Sequence, residues 1–301
     1  MAVLILGYGF SAQRFVARVS SSGGAGPITA TRRSPEACAA LTAQGVEALV
    51  FDAAEGASDA VRAAAKTAAI VLVTAPPDEA GCPVHRALGA DLAASSRLAW
   101  LGYLSTTGVY GDRGGGWAFE EDAPTPGSER ARRRVLAERD WLDAIPQAQV
   151  FRLPGIYGPG RSQLDRARKG EARRIVRPGL VMNRIHVDDL ADLLVRASTG
   201  GSETGARAGA PGLRVFNVVD DTPAPPADVT AQACRLVGAA VPQAVSLADS
   251  GLTGLALEFY SESKRASNAR AKAAFGWRPR FPSYAEGLAA VLAAERDPPS
   301  S

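Results

Sequence analysis

Short, continuous apolar runs alternate with segments of helical periodicity through the first half of the chain. Residues 2–6, 28–31, 46–51, 69–73, 98–104 and 148–153 are apolar runs of strand length. Between them, residues 10–19, 57–66, 84–95 and 130–142 place apolar side chains at helical spacing, the periodicity that marks an amphipathic helix. A further helix opens at Ser34-Pro35, with serine as N-cap and proline at the first helical position, and stops at Gly45. Gly23-Gly24-Ala25-Gly26-Pro27 breaks the chain before the second strand. Strands that are apolar throughout are buried on both faces, as in parallel sheets. Their alternation with helices predicts an α/β fold, a Rossmann-type doubly wound parallel sheet. After residue 153 the rhythm changes. Residues 155–160 are turn-rich, 163–177 strongly basic, 188–197 helical, 213–219 a further strand and 227–237 a further helix. The tail, residues 298–301, reads as a frayed end.

Composition narrows the function classes. Of 301 residues, 46% are hydrophobic and 22% charged, ordinary values for a folded chain. Lys plus Arg is 34 and Asp plus Glu 31, a net charge of +3, too balanced for a dedicated nucleic-acid binder. The basic stretches also lack interleaved aromatic residues on which bases would stack. The two histidines, His85 and His186, and three cysteines, Cys38, Cys82 and Cys234, show no metal-ligand spacing, so no metal site is expected. No apolar run reaches the roughly 20 residues that span a bilayer. The first residues run straight into a glycine with no basic segment before them, so a cytoplasmic protein without membrane contact is expected.

Gly7-Tyr8-Gly9-Phe10-Ser11-Ala12 follows a strand and opens a helix, the G-x-G-x-x-A arrangement of a dinucleotide site. The first glycine allows the tight turn. The second lets the backbone approach a pyrophosphate. Ala12 is small enough for helix–strand packing. The phosphates would then rest on the helix N-terminus. At the end of the second strand, where an acidic residue would bind a ribose 2′-hydroxyl, the chain has Thr31-Arg32-Arg33-Ser34. Two guanidiniums and two hydroxyls suit a 2′-phosphate, so NADP(H) is expected over NAD(H). By topology, Asp52 falls at the adenine and Thr74-Ala75-Pro76 along the cofactor crevice.

Four later segments carry a family resemblance. Leu104–Asp112 reads L-S-T-T-G-V-Y-G-D, residues 151–161 F-R-L-P-G-I-Y-G-P-G-R, residues 184–191 R-I-H-V-D-D-L-A, and residues 215–218 V-F-N-V. In this order they resemble the signatures of extended short-chain dehydrogenases/reductases, the NAD-dependent epimerase/dehydratase group. The resemblance implies a Rossmann domain, residues 1–160 and 185–220, with a smaller discontinuous substrate lobe, residues 161–184 and 221–301. It also implies an NAD(P)-dependent oxidoreductase or epimerase acting on a small substrate, anionic or similar to a nucleotide sugar. A homodimer is compatible with it.

The family's catalytic hydroxyl maps onto Thr106. Its Tyr-x-x-x-Lys pair does not carry over. Aligning Ala137-Glu138 with the family's Ala-Glu puts Arg130 at the tyrosine position and Arg134 at the lysine position. Arg134 can donate to the nicotinamide ribose, but neither arginine can act as a general acid near neutral pH. The residues assigned to catalysis are Thr106, Arg134 and Tyr157, and those assigned to the substrate are Arg161 and Arg184. A literal Tyr-x-x-x-Lys at Tyr260–Lys264 lies far downstream and reads as a loop. His186 reads as a structural residue joining the lobes. The enzyme reading is favoured, with a non-catalytic NADP(H)-binding sensor or interaction protein as the alternative.

Overall fold

The computed structural model describes residues 1–21, 26–53, 55–200 and 213–296. The expected tail and most of the glycine break lie outside them. Seven strands form one parallel sheet: β1 (Val3–Leu6), β2 (Ile28–Arg32), β3 (Glu47–Val50), β4 (Ile70–Val73), β5 (Trp100–Thr106) and, after the two-residue β6 (Trp117–Ala118), β7 (Ala148–Leu153) and the late β11 (Val215–Asn217). Their order is β11-β7-β5-β4-β1-β2-β3. The chain therefore moves outward from β1 to β3 and returns to the other side of β1 with β4. The reversal opens a crevice at the C-terminal ends of β1 and β4, where ligands bind in such sheets.

The continuous apolar runs are explained by two buried faces. Within β1, Val3 and Ile5 point into one core layer with Phe15, Val19, Leu190 and Leu194. Leu4 and Leu6 point into the other with Val61, Leu88, Leu92 and Trp141. The first layer is covered by α1 (Phe10–Ser21) and α7 (Val187–Thr199), the second by α3 (Asp59–Thr67), α4 (Pro83–Ala93) and α5 (Glu129–Ala144). Helix α2 (Pro35–Thr42) starts as its sequence predicts, with the Ser34 hydroxyl accepting from the Ala37 N–H and proline in the first turn.

The second half is built from small pieces. β8 (Gly155–Tyr157) pairs with β10 (Arg184–His186), and β9 (Arg174–Val176) with β12 (Ala244–Ser246). Helices α6 (Gln163–Arg168), α8 (Pro226–Leu236) and α11 (Tyr284–Arg296) close a separate small core around Leu164, Val229, Cys234 and Leu288. Helix α9 (Gly254–Ser261) buries none of its residues. It precedes β13 (Arg265–Ala266), which pairs with β6. Tyr260 closes α9 while Lys264 lies beyond it, so the two do not share a helical face. Helix α10 (Ala269–Phe275), expected in the substrate lobe, packs back onto the sheet, with Phe275 against Phe151 and Phe216. Among the described residues no helix is long and apolar enough to cross a membrane.

Candidate cofactor and substrate site

The crevice is built around Gly7. Its φ of +98° is open to glycine, and a Cβ there would stand 2.8 Å from Thr74 Oγ1. Thr74 donates to the Gly7 carbonyl at 2.6 Å, tying the end of β4 to the loop after β1. The Gly7 N–H in turn donates to Thr31 Oγ1 at 3.0 Å. Ala12 is fully buried, as the third position of the loop requires. Gly9 differs from Gly7. A Cβ there would meet nothing within 4 Å, so the space above it is open. Internal packing does not demand glycine at this position, whereas close approach of a pyrophosphate would. The loop thus fits a dinucleotide, with the N-terminus of α1 facing the open space.

The four residues expected to hold a 2′-phosphate divide their work. Thr31 is 2% exposed and its hydroxyl supports the glycine loop. Ser34 caps α2. Arg32 donates to the Tyr8 carbonyl. Arg33 remains exposed. Both hydroxyls accept a backbone N–H within the fold, and of the four residues Arg33 is the one left exposed. Asp52 and Ala57 line a cavity of about 470 Å³ at the end of β3. Ala75 packs on the second core layer and Pro76 is exposed.

At the end of β5, Thr106 Oγ1 accepts from the Gly108 N–H at 3.1 Å, which leaves its own proton to donate outward. Arg134 reaches across from α5, donating to Leu104 O at 2.7 Å and to the Tyr103 hydroxyl at 3.1 Å. Its guanidinium also lies over the Tyr103 ring. Thr106 and Arg134 are thereby anchored to one strand end. Arg130, one turn before Arg134, is exposed and its guanidinium lies 5.9 Å from the Phe259 ring centre of α9.

Tyr157 is not beside them. Only 9% exposed, it packs in the small core, and its hydroxyl has no hydrogen-bond partner. A Cβ on Gly287 would lie 1.8 Å from that hydroxyl, so α11 can pass only because it carries glycine there. Burial and the Asp220 and Asp189 carboxylates push the phenol well above its usual range. Tyr157, expected among the catalytic residues, is thus held with its hydroxyl buried in the small core, apart from Thr106 and Arg134. Arg184 is half-buried, with Nη1 donating to Met182 O and Ala224 O at 3.0 and 3.1 Å.

His186 is structural. Its Nδ1 accepts from the Asp188 N–H at 3.2 Å and caps α7, while its ring lies 4.3 Å from that of Phe281. Burial pulls its pKa down to about 4, against the opposing pull of Asp188. Asp220 moves the other way: burial pushes it up to about 8 despite Arg184. The two give opposite stability profiles. His186 has fewer protons bound in the folded state between about pH 4 and 6.5, so its contribution is lost as pH falls through that window. Asp220 has more protons bound when folded between about pH 4 and 8, so its contribution is lost as pH rises. We expect Asp220→Asn to match wild type near pH 4 and to gain on it by up to ~1.4 kcal/mol per pH unit towards pH 8. Urea unfolding across that range checks this. A difference between the two proteins that does not change with pH would refute it.

A buried polar network, not expected from the sequence, joins three of the four motif segments. Arg152 of β7 and Glu138 of α5 form an ion pair at 2.8 Å, each side chain 5% exposed. Ser105 of β5 donates to Glu138 at 2.5 Å. The Arg152 guanidinium lies 4.8 Å from the Tyr110 ring centre. The Tyr110 hydroxyl donates to Asn217 of β11 at 2.8 Å, and the Asn217 N–H to Glu120 at 2.9 Å. A charged residue inside the apolar run of β7 was the one available signal.

No family model matches the chain. A conserved protein of unknown function from Silicibacter pomeroyi is 40% identical, with 97% of this chain and 98% of that one covered and a TM-score of 0.84. A protein from Methylobacillus flagellatus, described as an NAD-dependent epimerase/dehydratase, is 26% identical over 98% of this chain and 99% of its own, with a TM-score of 0.73. The chain shares the fold of NAD-dependent epimerase/dehydratase proteins. A 3-diazoavenalumate denitrifying reductase from a Streptomyces species is 32% identical over 180 residues, 56% of this chain. That match spans 55% of the reductase, about half its length. More distant epimerase structures share the fold, among them one solved with NAD and one with NADPH. In this chain the glycine crevice and Thr106 lie at strand ends of the parallel sheet, with Arg134 reaching the end of β5 from α5, whereas the side chain of Tyr157 belongs to the small core.

Proposed function

We propose that the chain is an NADP(H)-dependent reductase of a small anionic substrate. The observation that carries this is the state of its arginines. Arg18, Arg62 and Arg86 each pair with an aspartate. Arg33, Arg130, Arg134, Arg161, Arg166 and Arg184 form no ion pair among the described residues. Of these, Arg33 just after β2, Arg134 beside Thr106 and Arg161 beside Phe10 lie near the crevice, and unneutralised guanidiniums there favour phosphate and carboxylate groups.

A bound nicotinamide supplies the hydride. The Thr106 hydroxyl would donate a hydrogen bond to the substrate oxygen, whose proton comes from water, and Arg134, fixed at Nη1, would have its remaining N–H groups for the nicotinamide ribose. Negative charge that develops on the substrate is met by donors already in place, with no reorganisation. Epimerisation and dehydration begin with oxidation of a substrate hydroxyl, which needs a base for the hydroxyl proton, and arginines at positions 130 and 134 do not supply one. Reduction of an acceptor that takes its proton from water asks less of these residues. The kinship with a reductase points the same way.

Titration of the protein with NADPH and NADH side by side tests the cofactor. NADPH is expected to bind at least tenfold tighter, about 1.4 kcal/mol, and Arg33→Gln to erase most of the difference. Tighter NADH binding by the wild type would sink the NADP reading. Catalysis is tested by NADPH oxidation over carboxylated and neutral carbonyl compounds, with Thr106→Ala as control. The second reading, a non-catalytic NADP(H) binder, is favoured by the two arginines on α5. It gains if NADPH binds but no substrate is turned over.

A further inference from the structure

We propose that Arg161 belongs to the cofactor site, where it closes over the glycine loop and binds the dinucleotide pyrophosphate. The inference rests on the dinucleotide reading of that loop. Arg161 sits in the turn after β8, in the segment that leaves the Rossmann sheet for the second lobe. Its guanidinium lies 5.5 Å from the centre of the Phe10 ring. Phe10 is the first residue of α1 and follows Gly9, the position above which the space is open. The stack therefore holds a cation at the end of the helix where backbone N–H groups point outward.

The turn that carries Arg161 is fixed. The Gly158 N–H donates to Arg161 O at 3.1 Å and the Arg161 N–H to Gly158 O at 3.0 Å. Gly160 takes a φ of +75° inside it. A Cβ on Gly158 would lie 2.5 Å from Val187 Cγ1 and 3.5 Å from Phe10 Cζ, so glycine lets this turn press against α1 and α7. Other cations at this end are engaged. Arg14 pairs with Asp188 at 3.1 Å, and Arg32 donates to the Tyr8 carbonyl. Arg161 forms no ion pair among the described residues, and the first turn of α1 has no acidic residue to compete for it. A guanidinium stacked on a ring keeps its planar N–H edge free for two phosphate oxygens. The earlier expectation gave Arg161 to the substrate; its contact with Phe10 assigns it to the cofactor. The loop between the lobes would then hold the dinucleotide from the side opposite the glycine backbone.

Calorimetric titration of the full chain tests this with three probes: NADPH, ADP-ribose, and adenosine 2′-monophosphate, which has no pyrophosphate. Arg161→Gln is expected to weaken NADPH and ADP-ribose about tenfold or more and to leave adenosine 2′-monophosphate within twofold. Arg161→Lys should recover part of the loss, since lysine keeps the charge without the fork. An unchanged melting temperature of the free variants confirms the fold. NADPH and ADP-ribose binding unaltered by Arg161→Gln overturns the assignment. So does an equal loss for all three probes, which marks a structural role. Wild-type protein that binds neither NADPH nor NADH fails the dinucleotide reading itself, and the assignment falls with it.

Discussion

Glu138→Ala is expected to cost about 3–5 kcal/mol of folding stability, the range for breaking a buried ion pair from one side. Arg152 and Glu138 are each 5% exposed at the side chain and meet through Nε and Nη2. Truncating the carboxylate leaves a guanidinium sealed between β7 and α5 with no counter-charge. Among the described residues Arg152 Nη1 already has no hydrogen-bond partner. The Ser105 hydroxyl loses its acceptor at the same time. Chemical denaturation measures the loss, and the melting temperature should fall by roughly 10 °C. Replacing both partners, Glu138→Met with Arg152→Met, should recover much of the deficit, because the burial cost of both charges disappears. A Glu138→Ala loss below about 1 kcal/mol would contradict this account of the network.

This network changes how the motif segments are understood. Ser105, Tyr110, Glu138, Arg152 and Asn217 come from segments that carry the family resemblance or align with it, and each is buried. Their polar atoms bond to one another across β5, α5, β7 and β11. Much of what identifies the family in this sequence is thus the wiring of its sheet. Thr106 and Arg134 lie beside that wiring, at the end of β5.

What the sequence disclosed followed from periodicity and from backbone-level rules. An apolar run of four residues such as Val3–Leu6 announces burial on both faces, and Gly7 announces a turn with positive φ. The strand near Val215 was legible as a return to the main sheet, and it pairs there with β7. Side-chain destinations were another matter. Thr31 and Ser34 looked like ligand hydroxyls because their partners, the Gly7 and Ala37 N–H groups, are brought to them by the fold. Tyr157 looked accessible because its motif borders the cleft, yet a three-residue strand paired with β10 turns it into the second core. The return of α10 to the sheet was hidden for a similar reason: Phe275 finds Phe151 and Phe216 only in three dimensions. Arg161 was one of many arginines until Phe10 gave it a place.

Gly9→Asp should separate the cofactor role of the loop from its structural role, since the two respond with opposite sign. The Gly9 carbonyl accepts the Gln13 N–H at 2.9 Å, so Gly9 stands at the start of α1. Its φ is not positive, and a Cβ there meets no atom within 4 Å. Aspartate is therefore sterically accepted. It is also a better helix N-cap than glycine by a few tenths of a kcal/mol. The free protein should melt at the wild-type temperature or slightly higher. A carboxylate in that open space would both fill the approach to the backbone and repel a pyrophosphate. NADPH affinity should drop by ~100-fold or more, about 2.7 kcal/mol. Gly7→Ala makes the contrast. Its Cβ would press on Thr74 Oγ1 at 2.8 Å and the Ala75 nitrogen at 3.2 Å in a backbone region alanine rarely adopts. That variant should lose both stability and binding. Calorimetry of the free and NADPH-titrated proteins reads both quantities. NADPH binding by Gly9→Asp within threefold of wild type would show that no pyrophosphate passes over Gly9, and the dinucleotide reading of the crevice would have to be abandoned.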